Sequence, residues 1–81
     1  MKYIVLESPD GLRFFAFPAS LDHDGVARAL QEYGRPVRAG FVQRSVSGPV
    51  CYGGSISLGL RSDPIADAGL FQEQLDDRCY G

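Results

Sequence analysis

The chain has one lysine, one histidine and two cysteines, and no apolar run, Tyr3-Ile4-Val5-Leu6 included, exceeds four residues. Such a run is far too short to span a bilayer. Lys2 is followed at once by strand-like residues, without the apolar core and small-residue cleavage site of a signal peptide. The expected compartment is therefore the cytoplasm, where Cys51 and Cys79 stay reduced. A bridge between them would require the C-terminal tail to fold back. A basic excess is also missing: 8 basic and 10 acidic residues give a net charge of −2. The arginines stand singly along the chain, which argues against a general nucleic-acid binder.

What the chain does have is turn chemistry and apolar patterning. Its 81 residues, 44% of them hydrophobic, make one domain over 1–81, with 78–81 read as a tail. A chain this short buries roughly 60–65% of the surface its unfolded form exposes. Lys2 to Glu7 and Leu12 to Phe17 are strand-like runs around Ser8-Pro9-Asp10-Gly11, so they predict a β-hairpin. Asp22 is placed to cap a helix of about three turns, with Leu21 and Val26 as a hydrophobic staple. Val26, Ala27, Leu30 and Tyr33 line its apolar face. Gly34 stands where a left-handed C-terminal cap belongs, and Pro36 prevents continuation.

Val37 to Ser45 predicts a third strand, with Val37, Ala39 and Phe41 on one face and Arg38, Gly40 and Val42 on the other. A turn at Ser45-Val46-Ser47-Gly48-Pro49 leads to Val50-Cys51-Tyr52, and Gly53-Gly54 marks a bulge. Ser55 to Leu60 alternates at period 2, as a half-buried strand does. Its polar face, Ser55, Ser57 and Gly59, would admit close approach of another backbone. Ser62-Asp63-Pro64 starts a second helix running to about Asp76, with Ile65, Ala68, Phe71 and Leu75 as its stripe. The order β-β-α-β-β-α, two antiparallel hairpins with helices packed on the sheet, is an α+β fold. Aromatic residues cover both faces of the first hairpin. Either the helices split across the sheet or a second copy covers the bare face, and the exposed aromatic surface favours a homodimer.

Few residues carry recognisable chemistry. Cys51 with His23 or Tyr52 is the one candidate for nucleophilic catalysis, but no basic neighbour lowers the thiol pKa, and a core role is expected. Asp22-His23-Asp24 lacks the further ligands of a metal site and reads as a helix cap with dipole-favoured acids. Gly53-Gly54-Ser55 precedes a strand and has no lysine, unlike a phosphate loop. No cofactor, metal or catalytic residue is expected. Arg38, Gly40, Arg44, Tyr52, Gly53, Gly54, Ser55 and Ser57 of the second hairpin form the candidate binding face, for a protein partner first and a small anion second.

Taken in order, Phe17-Pro18, Asp22-His23, Val26-Ala27, Pro36-Val37, Ala39-Gly40-Phe41-Val42, Cys51-Tyr52-Gly53, Ser55-Ile56-Ser57-Leu58, Ser62 and Pro64 form a pattern over residues 2 to 75. It resembles small proteins encoded by phages and prophages of proteobacteria. That resemblance brings no established activity or catalytic residues. It implies a cytoplasmic accessory protein of a phage or prophage, a kind that commonly acts by binding a partner, and the expected function is that of a non-enzymatic binding protein. Cys79-Tyr80-Gly81 lies outside the pattern.

Overall fold

In the computed structural model the backbone is described for residues 1–80 and the side chains through residue 75. The fold is α+β, with a four-stranded antiparallel sheet and two helices. Strands β1 (Lys2–Ser8) and β2 (Gly11–Phe17) form the first hairpin, and β3 (Arg35–Ser45) and β4 (Gly48–Tyr52) the second. The sheet order is β2-β1-β3-β4, so β1 and β3 lie in the middle and β2 and β4 at the edges. Both hairpins close with the same device. Ser8 Oγ donates to Gly11 O and accepts from Asp10 N–H, and Ser45 Oγ does the same with Gly48 O and Ser47 N–H. Gly11 and Gly48 take φ of 118° and 114°, which a side chain disfavours.

The helices split across the sheet. Helix α1 (His23–Ala29) covers one face, where Ile4, Leu6, Phe17, Ala27 and Ala39 are buried. Helix α2 (Pro64–Tyr80) covers the other, where Tyr3, Val5, Phe14, Val42 and Cys51 are buried. The aromatic surface that called for a second copy is thus covered from within the chain. A β-bulge opposite Val5 and Leu6 turns both Val37 and Arg38 toward α2, where strict alternation would have separated them.

Helix α1 is seven residues long, shorter than the predicted three turns. Tyr33, predicted on its buried face, is 65% exposed. Gly34 is not a left-handed cap, because its φ is not positive. A Cβ there would stand 2.6 Å from Glu7 O, so the residue is small to let the chain pass β1.

The predicted strand from Ser55 to Leu60 is instead a tight ribbon, β5 (Gly54–Ser55) with β6 (Leu60–Arg61). Gly53 and Gly59 bend the chain at φ of 76° and 65°, and Ser62 N–H closes the ribbon on Gly53 O at 2.9 Å. Ser55, predicted on an open face, is buried, whereas Ile56 stands fully exposed at the tip. Six alternating residues do not separate a strand from a turn when glycines flank them.

Helix α2 begins as predicted, with Asp63 Oδ1 accepting Ala66 N–H. It continues to Tyr80, past the predicted end near Asp76 and into the segment read as a tail. Its predicted stripe needs correction at Ile65, which is 88% exposed; Ala68, Leu70 and Phe71 pack on the core with Asp67 and Gln74 beside them, and Leu75 is half-buried. A pairing of Cys51 with Cys79 lies outside the described residues.

Candidate functional site

The predicted binding face is divided by the sheet. Arg38, Gly40 and Arg44 alternate along β3 toward the α2 side, whereas Tyr52 stacks on Phe41 on the opposite side (centroids 5.7 Å apart). Arg38 is not a free anion ligand, because its Nε donates to Asp67 Oδ1. Gly40 is buried, and a Cβ there would come within 2.5 Å of Tyr52 O. At Gly53 a Cβ would meet the Phe41 ring, and at Gly54 it would meet Leu60 O at 2.6 Å. The close backbone approach expected at these glycines is therefore made by the chain itself. Ser55 Oγ accepts Leu58 N–H inside the ribbon, with exposed Ser57 Oγ 3.2 Å from it. Arg44 remains exposed beside the second turn. The arginine–glycine anion site is not assembled.

On the α2 side lies a polar network that an apolar pattern could not reveal. Asp67 is fully buried. Its Oδ2 accepts Tyr3 Oη–H at 2.5 Å and Asp63 N–H at 2.8 Å, and Oδ1 takes the Arg38 bond. Each carboxylate oxygen is thus satisfied, and the negative charge is matched by a guanidinium. Around it, Tyr3, Phe14 and Phe71 stack at 4.5 and 4.6 Å. Burial, with the Asp67 bond and charge, pushes the Tyr3 phenol well above its ordinary value. Burial and the Asp67 charge push the Cys51 thiol up to about 11. A thiol at that value is protonated at neutral pH and is a poor nucleophile.

His23 lies on the other face. Its Nε2–H donates to Gly40 O at 2.9 Å, since a carbonyl only accepts, and its ring meets Phe17 and Phe41 edge-on. His23 and Tyr52 are therefore separated from Cys51 by the sheet. Among the described residues no three of His, Cys, Asp and Glu gather as a metal site, and no helix is long and apolar enough to cross a membrane.

What remains open is the outer part of the second hairpin on the α1 side. Val50 and Tyr52 are 49% and 48% exposed, and Val46 at the turn is fully exposed. Helix α1 packs chiefly on β1 and β3. Two adjoining grooves share Phe15 and Leu30: one of 740 Å³ between the first hairpin and the segment after α1, and one of 470 Å³ between β2 and α1. Alternation along β4 would have separated Tyr52 from Cys51 in the sequence, but the sidedness of Arg38 depended on a bulge and on Asp67. No protein-family model, curated protein or solved structure matches the chain.

Proposed function

We propose that this chain is a non-enzymatic binding protein that engages a partner protein through Val50 and Tyr52 of the second hairpin. The carrying observation is that these two apolar side chains stand half-exposed side by side in sequence register on β4, one residue on either side of buried Cys51. Tyr52 is held against Phe41, so little side-chain freedom is left to lose on binding. Tyrosine is enriched at interface centres, and exposed Val50 adds apolar area beside it on the same side of the sheet. The phage or prophage accessory role belongs to the same proposal and rests on the sequence resemblance alone. A homodimer is not needed to cover the sheet, so a different protein is the preferred partner.

Affinity capture with the wild type and with a Val50→Asp/Tyr52→Ser double variant tests this. Both substitutions lie at exposed positions, so the fold should survive, which circular dichroism checks. Proteins retained by the wild type should be lost from the double variant. An unchanged set of captured proteins would overturn the proposal.

A further inference from the structure

Both edges of the sheet carry devices that discourage another strand from adding, and they differ in kind. On β4 the device is Pro49, which stands opposite Arg44 within the ladder and has no N–H to offer an incoming strand. On β2 the device comes from the far end of the chain. Phe14 N–H donates to Gln74 Oε1 at 2.6 Å, and Gln74 Nε2 donates to Phe14 O at 2.9 Å. One side-chain amide thus meets the donor and the acceptor of one strand residue, as a neighbouring strand would.

The ladder geometry says which groups are concerned. Since both main-chain groups of Phe14 go to Gln74, they point away from β1. Alternation places those of Leu12 and Ala16 on the same open edge. Phe14 is therefore the middle of three outward-facing residues. Helix α2 holds the amide there through Phe71, one turn earlier, stacked on Phe14.

We infer that Gln74 is a plug on the β2 edge, and that it keeps β2 from pairing with β2 of a second copy of this chain. The segment Leu12-Arg13-Phe14-Phe15-Ala16-Phe17 carries one charge and no proline, the composition of a self-pairing strand. Paired antiparallel about Phe14, it sets Leu12 opposite Ala16 and Arg13 opposite Phe15 of the second copy, with no like charges face to face. This inference is independent of the partner surface on β4.

The test is sedimentation velocity of Gln74→Leu across a wide concentration range. The variant should self-associate with a Kd lower than the wild type's by roughly tenfold or more. Adding Leu12→Lys, a charge on the exposed edge, should restore wild-type behaviour. Wild-type association in folded Gln74→Leu would overturn the inference, as would association that Leu12→Lys leaves intact. Amide exchange on the wild type gives a check that needs no variant. Phe14 N–H should be protected while Leu12 and Ala16 N–H exchange quickly, and equal rates at the three would mean there is no plug.

Discussion

The two faces of the sheet are held by different physics. Under α2 the contact is a stack of three aromatic rings locked by a buried carboxylate with three bonded partners. Under α1 the contact is apolar, its one buried polar link the His23–Gly40 bond, and it spans seven helical residues with grooves beside them. The α2 face is committed to holding the fold together. The α1 face is only part-covered, and its uncovered strand, β4, is where contact surface is left over.

The sharpest way to break this comparison is Asp67→Ala. It leaves Arg38 without its charge partner and takes the carboxylate acceptor from the buried Tyr3 hydroxyl, so it should lower the unfolding free energy by about 3–5 kcal/mol. A domain of this size holds roughly 5–15 kcal/mol in total, so the variant should be near the limit of folding. On the other face His23→Ala should cost about 1–3 kcal/mol, from one buried hydrogen bond and two edge-on aromatic contacts. Equal losses in urea unfolding would erase the distinction.

The faces should also part with pH. Cys51 has its thiol raised from an ordinary 9.0 to about 11, and Tyr3 is raised from an ordinary 10.0. In both cases the folded state holds its proton longer than the unfolded state does. Stability is therefore full below about pH 9 and falls as pH rises, with the Cys51 part complete near pH 11. The thermal midpoint should decline over that range, and less so in Cys51→Ala. The smallest effect is expected at the proposed partner surface. Tyr52→Ala should cost about 0.5–1.5 kcal/mol, from its stack on Phe41, while abolishing capture.

The hairpins were legible because their signals are local. Ser8-Pro9-Asp10-Gly11 and Ser45-Val46-Ser47-Gly48 fix their turns within four residues. The same holds for the start of α2 at Asp63. The inward face of α2 was not legible, since Asp67 and Gln74 are polar and their partners Tyr3 and Phe14 lie 64 and 60 residues away. An apolar stripe search passes over such anchors and adopts Ile65 in their place. The ribbon at Ser55 to Leu60 failed for the opposite reason: its local pattern was good, but two positive-φ glycines outweighed it. Of the candidate face, Arg44, Tyr52, Gly53 and Ser57 kept exposure, while Arg38, Gly40, Gly54 and Ser55 were taken into the fold.

The central claim is that the Arg38–Asp67 pair locks α2 onto the sheet, and a double-mutant cycle in urea with Arg38→Met and Asp67→Leu tests it most directly. Each single change strands a charge in a largely buried site, whereas the double change removes both. The double variant should lose less than the two singles together by at least about 1 kcal/mol. Losses that add to within about 0.5 kcal/mol would contradict it.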